Sequence, residues 1–383
     1  MNHVTADILV VGSGIAGFFA IYTAQQKKTC RSIVVLNKGR IFQSGSSFDN
    51  LNGKWGITYG TTDQENDLLL ARINDLACGN NNPQLSSIAV ESSHGAYRAL
   101  LHLGVRFAGN NGTTNRISPC FHDQPLASII SSTEQLSECL RRHIDRTVVN
   151  IFDWHRAIRL LMDDNGCCGC LAVNEKGEEV KVRSRATIMA CGGNAALHNP
   201  HIVDAGLTGD GYRMLQEIGV PLKNMDYRQL VWEDARIGAP RFPFHRLLDR
   251  RLRFVDYTGR QIMIHDLPEE VKLARKSHVP IANLQRDRML DELLMSAIPV
   301  SEEKYAIRVL DLGGQCLHQI LPHTQASNGG VEIGINGETG VRNLYAAGEM
   351  ATGMHGGDRV GGMMITAAIV FGSRAGLAAA QNL

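Results

Sequence analysis

The sequence predicts an α/β fold in which a small α+β domain interrupts a larger frame of strands and helices. Three observations predict it. Near the N-terminus the chain reads Asp7-Ile8-Leu9-Val10-Val11-Gly12-Ser13-Gly14-Ile15-Ala16-Gly17, an apolar strand running into G-x-G-x-x-G and then an apolar helix to Ala24. Near the C-terminus it reads Gly340-Val341-Arg342-Asn343-Leu344-Tyr345-Ala346-Ala347-Gly348-Glu349, a strand ending in a turn of small residues. Between them, from about Glu233 to Val309, Arg and Asp become dense and glycine sparse.

The first glycine run carries a specific chemistry. Gly12 permits the tight turn, Gly14 lets backbone approach a pyrophosphate, and Gly17 lets the helix pack on the strand. The helix N-terminus, with Ser13 and Ala16 beside it, then faces anionic phosphates. A tight βα turn without ligand is the alternative, and the flanking strand and helix argue against it. A glycine turn at each end of the chain points to one dinucleotide held by both, the habit of FAD enzymes, in a Rossmann-like frame. The second strand, Ile33 to Leu36, ends in Asn37-Lys38-Gly39 where an acidic residue is expected. Asn37 can hydrogen-bond a ribose hydroxyl but lacks the strength of a carboxylate.

Composition narrows the function class. The 383 residues are 44% hydrophobic and 20% charged, enough for two domains or one discontinuous one. The 39 basic and 38 acidic residues nearly cancel, so no global field argues for nucleic acid or an anionic membrane. The first strand starts at once, leaving no room for a signal peptide, and no apolar run of about 18 residues is evident. Nine scattered cysteines read as a reduced, cytoplasmic protein. The cluster Cys167-Cys168-Gly169-Cys170 lies on a β-ribbon, where adjacent side chains diverge, and reads as structural thiols rather than a metal site.

The remaining elements follow in order. Residues 5–37 form a β-α-β start. Residues 64–108 carry two helical patterns, the second around Ser87 to Leu103. Residues 148–192 read as strand, helix, hairpin strands and the buried strand Thr187-Ile188-Met189-Ala190, which ends in the small turn Cys191-Gly192-Gly193. Thr208-Gly209-Asp210-Gly211 opens a helix to Gly219, with Thr208 or Asp210 as its cap. In the inserted part Phe254 to Ile262 reads as a hairpin and Arg286 to Ser296 as a helix. A helix from about Met363 to Gln381 closes the chain. The expected division is 1–232 and 312–383 for the frame and 233–311 for the insertion.

These residues resemble the flavoprotein subunits of succinate dehydrogenase and fumarate reductase, and their relative L-aspartate oxidase. The likeness covers most of the chain. Val34 to Lys38-Gly39 and Gly45-Ser46-Ser47-Phe48 look most like L-aspartate oxidase. The Cys191 turn, the Thr208 run and Asn224-Met225-Asp226-Tyr227 follow the family in order and spacing. The most specific stretch is His355-Gly356-Gly357-Asp358-Arg359-Val360-Gly361-Gly362, close to the family's H-G-A-N-R-L-G-G.

The resemblance implies a Rossmann-like FAD-binding domain with a small inserted α+β capping domain. It implies transfer of a hydride between flavin N5 and the carbon next to a carboxylate. Arg359 would clamp that carboxylate, Arg286 in the cap would transfer the proton, and His355 would stand at the same site. Gly12, Ser13, Gly14, Ala16, Gly17, Asn37, Lys38, Gly45, Ser46, Ser47, Gly53, Cys191, Gly192, Gly193, Asp210, Gly348, Glu349, Gly361 and Gly362 are the implied cofactor contacts. Glu349 is placed at the ribityl or ribose, and the amides near Gly361 and Gly362 at the pyrimidine edge of the flavin.

The departures bear on substrate. The family's histidine in H-Y-T-x-G-G falls on Gln325, and that in Q-F-H-P on Val231, with His323 as a nearby substitute. The flavin-contacting A-Q-G-G segment is Asn50-Leu51-Asn52-Gly53. No histidine marks a covalent flavin site, so FAD is expected to be noncovalent. The helical domain usual after the last FAD helix is not in this sequence, and the cap is short. The expected function is an FAD-dependent oxidoreductase acting on a small carboxylate other than a standard dicarboxylate. The alternative is a flavin-binding subunit of a larger electron-transfer complex, with an iron–sulfur or other partner and altered or lost substrate chemistry. No metal, nucleic acid or transmembrane segment is expected.

Overall fold

The computed structural model describes residues 2–109, 115–236, 241–299 and 306–383. Residues 237–240 and 300–305 of the inserted segment lie outside them.

The main sheet grows from the apolar runs read above. Asn2–Val11 pairs in parallel with Ile33–Asn37 on one side and Glu179–Met189 on the other. Val149–Asp153 extends the first edge in parallel. The end of Glu179–Met189 pairs with Leu344–Ala346, so the C-terminal glycine turn joins the same sheet as the N-terminal one. Ile8 to Val11 and Ile33 to Asn37 are buried on both faces, which is why these strands are continuous apolar runs rather than alternating ones.

An antiparallel ribbon is appended to this sheet. His155–Asp163 pairs with Gly166–Asn174, which pairs with Glu179–Met189. The helix expected between Val149 and the hairpin is therefore a strand. Two register shifts, at Ala157/Arg159 and Leu161/Met162, break its two-residue alternation and leave apolar positions at helix-like spacing. Cys167 and Cys170 are buried within the ribbon while Cys168 is partly exposed, and all nine cysteines are free. The long helical pattern before Leu103 is also two helices, Pro83–Glu91 and Ser93–His102, separated at Ser92.

The last helix, Met363–Gln381, packs across the first, Ile15–Ala24. A Cβ on Gly372 would stand 2.4 Å from the Ala16 carbonyl oxygen, and one on Gly376 2.2 Å from that of Ala20. Glycine is thus what lets the two backbones touch. This helix corrects one expectation: with mean hydropathy 1.5 it is long and apolar enough to cross a membrane. It is 72% buried within the protein, the pattern of a core helix.

The inserted segment has its own core. Trp232, Phe254, Ile264, Leu290, Leu294, Val309 and Ile320 pack together beneath a five-stranded antiparallel sheet. That sheet includes the flanking strands Arg228–Asp234 and Cys316–Ser327 as well as the hairpin Arg253–Val255 and Gln261–Ile262. The fully buried Arg275 is neutralised by Asp291, whose carboxylate also accepts from the Trp232 indole at 2.7 Å.

Among the contacts that seat this cap on the frame are these. Asp358 accepts the Asn283 and Leu284 amides at 2.6 and 2.8 Å. Phe121 stacks on His278 with ring centres 3.7 Å apart. Arg241, paired to the buried Glu233, donates to Asn52.

If the helix crossing holds the two chain ends together, Gly376→Ala should cost about 1–3 kcal/mol, the usual penalty of overpacking. Chemical denaturation measures it, and an unchanged midpoint would show that the two backbones are not in contact there.

Candidate active site

A cavity of about 770 Å³ opens at the C-terminal ends of the parallel strands, where ligands of open α/β sheets bind. Gly12, Ser13, Gly14 and Ala16 line it from the first turn, Asn37 and Lys38 from the second strand end, and Gly45, Ser46 and Ser47 from the loop after it. Cys191, Gly192, Asp210, Gly348 and Glu349 complete the opposite wall. Fourteen residues far apart in sequence thus converge on one space.

The glycines of the first turn divide by role. A Cβ on Gly12 would meet the Ala190 carbonyl oxygen at 2.3 Å, and one on Gly17 that of Gly12 at 2.1 Å. Those two are packing requirements, and Gly17 stands behind the cavity wall rather than on it. A Cβ on Gly14 would meet nothing closer than Ser47 Oγ at 3.4 Å. Its free side is the cavity itself.

The walls fit a dinucleotide. Gly14 caps the first helix without a side-chain hydrogen bond, leaving the helix start facing the cavity. The Ser13 Oγ, Asn37 Nδ2 and Ser46 Oγ atoms are buried without a partner, and all three residues line the cavity. Lys38 does not stand free for a phosphate. Its ammonium pairs with Asp210 at 2.9 Å and with Thr208 at 2.7 Å, bridging the second strand to the opposite loop. That pairing also occupies the Asp210 carboxylate. The helix after it is capped by Gly209 in a left-handed conformation, φ 67°, rather than by a side chain. Asp204, unremarked in the sequence, accepts the Gly45 amide at 2.5 Å and the Gly206 amide at 2.7 Å, holding two cavity loops together.

Gly53, Gly193, Gly361 and Gly362 lie off the cavity wall. Gly193 makes room for the Glu349 carboxylate, which a Cβ there would approach to 2.1 Å. The Gly361 amide donates to the Cys120 carbonyl at 3.0 Å, and Gly362 caps the last helix at φ 79°.

At the cavity's inner end, by Gln325, Glu349 and Met364, the polar groups become buried. Glu349 accepts the Ser327 amide at 3.0 Å, and burial raises its carboxyl above the usual range despite the Arg359 charge. Arg359 donates through Nη2 to Gln229, while its Nε and Nη1 are buried without partners. Burial lowers this guanidinium to about 10, against the pull of Glu349, so it stays charged at neutral pH. Both ring nitrogens of His355 are also buried and unpartnered, as is Asn328 Oδ1. Burial, then the Arg359 charge, hold His355 well below its ordinary value and hence neutral.

Unsatisfied buried donors of this kind are costly, and their concentration here marks a site for an acceptor, with the charged donors on Arg359. Arg286 is not brought into this cluster by any contact. It is exposed in the turn before Arg288–Met295, and its neighbour Asp287 pairs with His278 instead. It belongs to the cap loop that Asp358, next to Arg359, holds by its amides. Gln229, Asn328 and Asp358 are the residues that sequence reading missed. Gln229 lies 130 positions from Arg359, and no local pattern joins them. Val231 is buried opposite His323 in the strand ladder, and the His323 ring is held by the Leu321 carbonyl at 2.9 Å. Gln325 is the extra residue at the bulge of that ladder and lines the cavity.

A family model described as FAD binding domain matches residues 7–365. The chain belongs to this FAD-binding family. It is 26% identical to a subunit of the fumarate reductase (CoM/CoB) of Methanothermobacter marburgensis, over 98% of this chain and 72% of the relative. It is 23% identical to the L-aspartate oxidase of Clostridium perfringens over 97% of this chain and 86% of that one. Among solved structures, a mutant of the E. coli quinol fumarate reductase superposes with TM-score 0.77 at 18% identity, covering 100% of this chain and 71% of that one. The protein is thus an FAD-binding oxidoreductase, similar to fumarate reductase and L-aspartate oxidase proteins.

Because Gly14 is open only toward the cavity, Gly14→Val should fold with little change in Tm yet lose FAD. Stoichiometric FAD in the variant would place the phosphates elsewhere. The buried His355 also sets a pH dependence. A histidine held neutral below its unfolded value binds fewer protons folded than unfolded, so its stability contribution is lost as pH falls through about 6.5. Relative to His355→Gln, the unmodified protein should lose Tm between pH 7 and pH 5. Parallel Tm curves would show that His355 is not buried neutral.

Proposed function

We propose that this FAD oxidoreductase acts on a small carboxylate other than a standard dicarboxylate, by hydride transfer at flavin N5. The observation that carries the reading is Arg359: a buried, charged guanidinium with two unpartnered N–H groups, off the cavity wall but acting electrostatically on the cavity-lining Glu349. When bound, FAD supplies the two-electron chemistry. The chain's residues do the rest. Arg359 Nε and Nη1, on separate edges of the guanidinium, each offer a hydrogen bond to an anion, and Gln229 fixes the group by taking Nη2. Neutral His355 offers one donor and one acceptor without adding charge. The cap loop carrying Arg286 closes over Gly357, where a Cβ would meet Leu284 at 2.2 Å, and so keeps water from the site. Arg286, by its family position, moves the proton.

The domain reading consistent with this is an FAD-binding domain of 1–232 and 312–383 and a capping domain of 233–311, with the cap sheet sharing strands at both junctions. FAD is proposed to be noncovalent and the protein cytoplasmic. An electron-transfer partner, iron–sulfur or other, is supported by the Methanothermobacter relative being named as one subunit of its enzyme.

Val231 and Gln325 stand where the family uses imidazoles on dicarboxylates. Loss of a hydrogen bond to a charged group costs about 1.5–3 kcal/mol. Two such losses weaken binding by roughly two to four powers of ten. Succinate, fumarate and aspartate should therefore be turned over poorly, and Arg359→Ala should lower turnover of the true substrate at least about tenfold. Steady-state assays test both. Efficient use of those three acids would refute the specificity, and an unaffected Arg359→Ala variant would remove the anchor. Acid precipitation of the yellow protein should leave FAD in the supernatant; colour in the pellet would contradict noncovalent binding.

A further inference from the structure

Trp154 combines three properties that packing does not explain. It occupies the turn between Val149–Asp153 and His155–Asp163 with a left-handed backbone, φ 61°. Bulky L-residues avoid that region, and an outlier there points toward function. The residue is 47% exposed, so burial returns little for the strain. It lines the large cavity.

Its place along the cavity is set by the sheet. Asp153 is the ladder partner of Asn37, and the Trp154 amide donates to the Gly39 carbonyl at 3.0 Å. Asn37 holds the position that meets the ribose of a dinucleotide in this type of fold, and its Nδ2 is buried without a partner. The base attached to that ribose therefore lies at the Asn37 end. The reacting ring must lie at the other end, by Gln325 and by Glu349, on which the Arg359 charge acts. A flat, half-exposed indole one residue past Asp153 is chemically suited to a purine and to nothing else in FAD that can reach it.

We propose that Trp154 is the adenine-stacking residue of this cavity, held toward the base by its left-handed turn. The proposal rests on FAD occupying the cavity but not on the identity of the substrate. Trp154→Gly is the informative truncation, since glycine takes the same backbone conformation without strain. Trp154→Phe keeps an aromatic face.

The test uses the full chain freed of flavin, titrated with FAD, ADP and FMN. Trp154→Gly should retain its Tm and bind both FAD and ADP about 5- to 150-fold more weakly, the span that loss of base–aromatic stacking produces. FMN, which lacks adenosine, should bind the variant and the unmodified chain alike. Trp154→Phe should recover most of the loss. ADP should quench tryptophan fluorescence more in the unmodified chain than in Trp154→Phe, where Trp55, also on the cavity wall, and Trp232 remain. Unchanged ADP affinity in Trp154→Gly, an equal loss for FMN, or undiminished quenching in Trp154→Phe would overturn the proposal. An unmodified chain that binds FMN but neither FAD nor ADP would overturn it while leaving the flavin chemistry intact.

Discussion

The close crossing of the last helix on the first is the constraint on which the site depends. Gly372 and Gly376 bring one backbone onto the Ala16 and Ala20 carbonyls of the other. The same crossing seats the Gly348 turn over Ala16, so both glycine signals face one cavity. A larger residue at either crossing would separate the phosphate end of the cavity from its catalytic end. The apolar character of Met363–Gln381 follows from the same demand: a helix buried against sheet and helix has little polar face to spare.

The second feature is an imbalance of buried polar groups. In the cap buried charge is matched at two places, Arg275 by Asp291 and Glu233 by Arg241. Around Arg359 it is not. Two guanidinium nitrogens, two imidazole nitrogens and one amide oxygen lie buried without partners. Burial shifts the three ionisable groups in the directions that reduce charge, raising Glu349 and lowering Arg359 and His355. Folding alone gains nothing from such a group, whereas an anion with matching acceptors would satisfy it.

Much of this was legible in the sequence because it rests on local pattern. The first strand, turn and helix, the buried second strand and the Phe254 hairpin all follow from apolar runs and glycines. The structure departs where tertiary contacts override period. His155–Asp163 reads as helical because two bulges disturb its alternation. Ser92 divides a pattern that runs on through it. Lys38 and Asp210 both line the cavity, and their pairing across 172 positions is a contact that no local pattern shows. The Gln229–Arg359 contact, and the Asp358–Asn283 contact that joins frame to cap, span long separations that no window of sequence contains.

The central claim is that one FAD is gripped by both ends of the chain. Amide hydrogen exchange with and without bound FAD tests it most directly. Slowed exchange is expected together in residues 14–17, 45–49 and 347–349, with the surface of the cap sheet unchanged. Protection confined to the N-terminal turn, with 347–349 exchanging as before, would contradict the account.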